Sequence, residues 1–135
     1  MKYQNELKSV GTSYLFIITP FLVLILVKVF MEKYEELLLT GDWSIACAMI
    51  YSSSIVNIRS ATNEYNGQIN NISLDWFMAI TILMSCISVA IYVIALIKPT
   101  YFIGVVQIIL FCFASIAHIK YGRAAFRLRN QLKNE

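Results

Sequence analysis

The chain has 135 residues, of which 59% are hydrophobic and only 14% charged, with a formal net charge of +3 and a mean hydropathy of +0.66. A domain this small buries only about two-thirds of its unfolded surface, and a soluble one carries roughly 25% charged residues. A water-soluble globular fold is therefore not expected, nor are the disordered, collagen-like and disulfide-stapled classes; what remains is a single-domain integral membrane protein.

Four apolar runs follow in chain order. Tyr14–Met31 is interrupted only by Thr19, Pro20 and Lys28. At ~1.5 Å per residue it covers roughly 27 Å, close to the ~30 Å of a hydrocarbon core. Acidic Glu32–Glu36 follows it without a small-residue cleavage pattern, which argues against a cleaved signal peptide. Pro20 predicts a kink, either a static packing feature or a gating hinge. Lys28 is read as snorkelling to the headgroups, with pairing to an outer acid as the alternative.

The second run, Trp43–Ile58, is short and carries Ser44, Ser52, Ser53, Ser54 and Asn57. It is expected to be a span sheltered inside a bundle, where its hydroxyls meet protein; an interfacial helix is the alternative. Trp76–Ile97 has no charge, and Tyr101–Ile119 has no full charge. A barrel is not expected, because its strands would alternate in polarity and these runs do not. The predicted fold is all-α: a bundle of four transmembrane helices at about 13–32, 43–59, 76–98 and 101–120, with the last helix extended by a basic cytoplasmic tail, 121–135.

Charge orients the bundle. With both ends inside, Lys2, Lys8, Arg59, Lys120, Arg123, Arg127, Arg129 and Lys133 are cytoplasmic, and only Lys28, Lys33 and Lys98 lie outside. The positive-inside bias thus predicts N-in, C-in topology. The inner connection contains Asn66-Gly67, a turn signal. The pattern Asn71-Ile72-Ser73 matches a glycosylation acceptor but falls on this inner side.

Candidate contact residues lie on helical stripes. Ser44, Ala48 and Ser52 have small-xxx-small spacing. Thr81, Ser85, Ser88, Tyr92 and Ala95 share one face, and Gly104, Gln107, Phe111, Ala114 and His118 share another. In lipid, close approach of small residues and interhelical hydrogen bonds drive association, so these stripes are expected to pack on each other or on a second copy. Gln107 is read as bonded to the serines, with pore lining as the alternative. His118, the sole histidine, is read as a solvated interfacial residue; a pH sensor or an inner pore mouth is the sharper reading. Cys47, Cys86 and Cys112 are spaced for neither zinc nor disulfides and are read as packing residues.

In the tail, Lys120, Arg123, Arg127, Arg129 and Lys133 are expected to touch lipid headgroups or a cytoplasmic protein. Tyr121, Ala125, Leu128 and Leu132 form an apolar stripe beside them. Nucleic-acid binding by the tail is not expected. No catalytic, cofactor or metal motif is present, so no cofactor or enzyme activity is expected.

The outline made by Tyr14–Met31, Trp43–Ile58, Trp76–Ile97 and Tyr101–Ile119, with little mass outside the spans and a basic end, resembles the small four-span membrane subunits of bacterial anti-phage systems, in particular the KwaA subunit of Kiwa. The resemblance implies an oligomeric membrane sensor or effector that works with a cytoplasmic partner. The same outline is similar to immunity proteins against pore-forming bacteriocins. A channel is a further reading, carried by the stripe Thr81, Ser85, Ser88 and Gln107.

Overall fold

The computed structural model describes residues 2–65 and 67–131. It consists of α1 (Lys2–Phe30), the single turn α2 (Glu36–Leu39), α3 (Asp42–Glu64), α4 (Asn71–Ile97) and α5 (Tyr101–Gln131). Among the described residues there is no strand. Three helices, α1, α4 and α5, are long and apolar enough to cross a membrane. Asn66, in the expected turn, and Leu132 and Lys133, in the expected tail, lie outside the described residues.

The helices outrun the apolar runs mainly at one end. α1 begins at Lys2, α3 continues to Glu64, α4 starts at Asn71, and α5 reaches Gln131. The early start of α4 has a local cause: the Asn70 side chain accepts a hydrogen bond from the Ser73 N–H at 3.2 Å, satisfying one of the free donors of the first turn. At ~1.5 Å per residue, α5 is about 46 Å long, so it exceeds a hydrocarbon core by roughly 16 Å. The surplus gathers where Glu6, Lys8, Arg59, Glu64 and the α5 arginines lie, here termed the basic end. The opposite, acidic end holds Glu32–Asp42 and the short Lys98–Thr100 connection.

Pro20 does not break α1; beside it, the Thr19 hydroxyl donates to the Leu15 carbonyl at 2.6 Å. The helix ends at a defined stop. Glu32 adopts φ 59°, the Lys33 N–H reaches back to the Lys28 carbonyl at 3.0 Å, and the Glu32 N–H reaches Val29 at 3.1 Å. This is a Schellman closure, with a glutamate in the left-handed position usually given to glycine.

The packing inverts that of a water-soluble protein. Large apolar side chains such as Phe16, Leu26, Leu83, Phe102 and Ile116 face outward. Apart from Ile50, the fully buried positions are small or polar: Ser44, Ala46, Cys47, Ala61, Ser88, Gln107 and Ala114. At the centre is α3, which packs chiefly on α5 and α4, while α1 lies against α5. Its buried face is Ser44, Cys47, Tyr51, Ser54, Ile58 and Ala61, a 3–4 spacing. This corrects the expected Ser44/Ala48/Ser52 stripe: Ala48 is half-buried and Ser52 exposed. The other two stripes match the buried faces of their helices, since Thr81, Ser88, Ala95, Gly104, Gln107, Ala114 and His118 are all buried.

Two apolar clusters stack along this axis. One joins Cys47, Ile50, Tyr51 and Ala114. The other, toward the basic end, joins Ile58, Ala61 and Ala125, with Leu74, Phe77, Tyr121 and Leu128 packed against it.

Gly104 permits a close approach of two backbones, because a Cβ there would strike the Leu38 backbone carbonyl. Gly104→Ala is expected to destabilise the detergent-solubilised protein by about 1–3 kcal/mol, read as a lowered Tm. Gly122→Ala should cost less, since its Cβ would meet only a Val10 methyl at 2.8 Å. Conversely, Glu32→Gly should raise stability by up to about 1 kcal/mol by relieving the left-handed residue.

Candidate functional site

Polar side chains run as a seam between α1, α3 and α5. Gln107 is completely buried, and its Oε1 accepts from the Ser44 backbone N–H at 3.3 Å. Further along, Tyr14 and Ser115 share a 2.6 Å hydrogen bond between α1 and α5. Next come Ser54 Oγ and His118 Nδ1, 3.0 Å apart, and then the Asn57 amide donating to Ser13 Oγ at 3.5 Å.

His118 is 1% exposed and lies against the Tyr14 ring at a centroid distance of 5.6 Å. This corrects the expectation of a solvated histidine: the α5 stripe turns it toward α3 and away from the interface. A serine touching a histidine raises the question of a nucleophile and its base. Here the Ser54 hydroxyl donates to its own-helix Ile50 carbonyl at 2.9 Å. With that proton so placed, His118 Nδ1 is the donor to Ser54, and the pair acts as a bond between helices. Ser44 Oγ, Gln107 Nε2 and His118 Nε2 are buried without a protein partner. A cavity of about 50 Å³ lies between α1, α3 and α5, lined in part by Ser9, Ser13, Asn57, His118 and Arg129, with room for a few waters.

The basic end is held by ion pairs. Glu6, whose side chain is 8% exposed, meets Arg123 Nε at 2.8 Å and Arg127 Nε at 3.2 Å. Arg129 lies 3.3 Å from Glu64 and donates to Ser60 Oγ at 3.0 Å. The α5 extension is thus fastened to α1 by one glutamate and to α3 by another. Its apolar stripe is also occupied, with Tyr121 against Phe77 at 4.2 Å between ring centroids and Ala125 and Leu128 in the second cluster. Over its described residues the extension is therefore packed against the bundle. Of the stripe Tyr121, Ala125, Leu128 and Leu132, the first three pack with Ile58, Ala61 and Leu74 within the chain. Lys120 remains exposed.

At the acidic end, Lys28 ion-pairs with Asp42, and its Nζ donates to Thr40 Oγ1 at 2.7 Å. Thr40 Oγ1 is also 2.7 Å from Asp42 Oδ2, and the Trp43 indole donates to the Leu37 carbonyl at 2.6 Å. The snorkelling reading of Lys28 gives way to its alternative, pairing with an outer acid, because the α1–α3 connection folds back over the end of α1.

Of the other anticipated residues, Thr81 and Ser88 turn their hydroxyls to the carbonyls of Phe77 and Met84 on their own helix, at 2.7 and 2.9 Å, and Ser85 is half-buried. Glu6 and the polar role of Tyr14 were missed by sequence reasoning, while Ser54 was anticipated only as one of several hydroxyls in the second run. The available signal for Glu6 was its isolation, as the single acid on the N-terminal side of the first apolar run. No group of three or more potential metal ligands occurs among the described residues. Comparison of the chain with protein families, curated proteins and solved structures finds no match.

Lys28→Met strands the Asp42 carboxylate. As the side chains of the pair are 12% and 35% exposed, the expected loss is about 1–3 kcal/mol, between the values for surface and buried pairs. The double variant Lys28→Met/Asp42→Asn should recover part of it, as measured by thermal unfolding in detergent.

Proposed function

We propose that the chain is a non-enzymatic, oligomeric four-span protein of the bacterial inner membrane, with both ends cytoplasmic. It relays membrane perturbation or a permeability change to a cytoplasmic partner, in phage defence. The observation that carries this reading is the continuity of α5. One unbroken helix runs from Tyr101 to Gln131, and its basic half is fixed to α1 and α3 through Glu6 and Glu64. A shift of the apolar half is then transmitted to the basic end, where a loose tail would absorb it.

α3 is the fourth span in this reading. Its 23 residues cover about 35 Å, and its Ser44 and Ser54 hydroxyls are buried among the neighbouring helices, as a bilayer favours. The partner would engage the tip of the helical extension, around Glu64 and the α3–α4 connection, because the Tyr121/Ala125/Leu128 stripe is covered. The relay is favoured over a channel because Gln107 Oε1 and the Thr81 and Ser88 hydroxyls are engaged within the chain.

Topology and relay are tested together. In a background without native cysteines, Glu35→Cys should react with an impermeant maleimide on intact cells, and Gln68→Cys only after lysis. Coexpression with the adjoining genes should lower phage plaque formation, and Arg129→Glu should abolish that protection while the protein still inserts. Equal labelling of both positions, or full protection by Arg129→Glu, would overturn the reading.

A further inference from the structure

We propose that the outward face of α5 at the start of its basic half binds the phosphodiester headgroup of an anionic phospholipid. This rests on the membrane reading above and adds a ligand to it. Ile116, Ile119, Lys120, Arg123, Ala124 and Arg127 line one open hollow on this helix. Their spacing of three and four places them on one continuous face. Ile116 and Ile119 are 66% and 41% exposed, and the cations follow within one to two turns.

Glu6 brings a single carboxylate to both Arg123 and Arg127. Lys120 makes no ion pair with a described residue. Lys120 and Arg127 thus present positive charge beside an apolar wall. Arg127 stays 63% exposed despite its contact with Glu6, so its guanidinium keeps donors directed to solvent. Guanidinium and ammonium groups together suit a phosphate oxyanion.

The isoleucines decide between sources of that oxyanion. A soluble phosphate would gain nothing from Ile116 and Ile119, whereas a phospholipid lays its acyl chains along them while its phosphate sits at Lys120 and Arg127. The order along α5, apolar and then basic, is the order of acyl chain and headgroup across a leaflet. Basic residues beside an anionic leaflet each contribute about 1 kcal/mol, or roughly fivefold in affinity.

The test uses the full chain purified in a zwitterionic detergent and native mass spectrometry with equimolar phosphatidylglycerol and phosphatidylcholine. The wild type is expected to retain phosphatidylglycerol preferentially. The variant Lys120→Gln/Arg127→Gln should bind it about 25-fold more weakly, with phosphatidylcholine retention and helicity by circular dichroism unchanged. Equal retention of both lipids by the wild type, or undiminished phosphatidylglycerol binding by the variant, overturns the proposal. Displacement of the lipid by inorganic phosphate also overturns it, by making the bare oxyanion the ligand. A chain that stays folded and monodisperse in buffer without detergent overturns the membrane reading instead, so the two failures are distinct.

Discussion

Close approach of small and polar side chains around α3 is the constraint on which the rest of the structure depends. Between helices surrounded by hydrocarbon there is no gain from hiding leucine from water. Contact must come instead from short side chains that bring backbones together and from hydrogen bonds that have no competing solvent. The interior follows this rule: Ser44, Ala46, Cys47, Ala61, Ala95 and Ala114 fill it, with Gln107 and His118 as its large polar members. Phenylalanine and leucine are left to the periphery, and Ile18, Ile50 and Ile58 are the large aliphatic side chains inside. The same constraint accounts for the modest apolar character of α3. The helix that touches all its long neighbours carries the hydroxyls, and those neighbours insulate it.

The two ends of the bundle solve different problems. At the acidic end the chain must turn back within a few residues, and it does so with a left-handed Glu32, the single turn α2 and the Lys28–Thr40–Asp42 contact. At the basic end the helices continue beyond the length a bilayer requires, and a second apolar cluster forms around Ala61 and Ala125. Small alanines face each other where α3 and α5 meet, and arginines reach out to Glu6 and Glu64. The extension is therefore built as part of the bundle, with its own core and its own ion pairs. Under the proposed relay, this rigidity lets an event in the apolar layer be felt beyond it. The lipid site proposed on the outer face of α5 lies at the junction of the two layers, where the bilayer composition could bias such coupling.

Composition and periodicity alone determined that the molecule is helical and apolar outside, and roughly where the three strongest helices lie. They also marked the buried faces of α4 and α5, because serine, threonine, glutamine and histidine in otherwise apolar runs stand out at helical spacing. The face of α3 was misplaced. Serines occur around much of that helix, so the sequence offered several stripes of similar quality, and only its neighbours select Cys47, Tyr51 and Ser54 over Ala48 and Ser52. Helix ends were likewise short by several residues, because the apolar signal stops at the membrane boundary while hydrogen bonding continues.

Tertiary structure alone decided the partners of the charged and polar groups. Lys28 finds Asp42 only because α2 folds the chain back. Glu6 finds Arg123 and Arg127 across 117 residues or more, a separation for which a single sequence holds no pairing signal. His118 could be placed on a stripe from its spacing, but whether that stripe faces protein or water depends on the rotation of α5 against α3. Side-chain type sets what a residue needs; the packing angles and distances of the helices determine which partner supplies it.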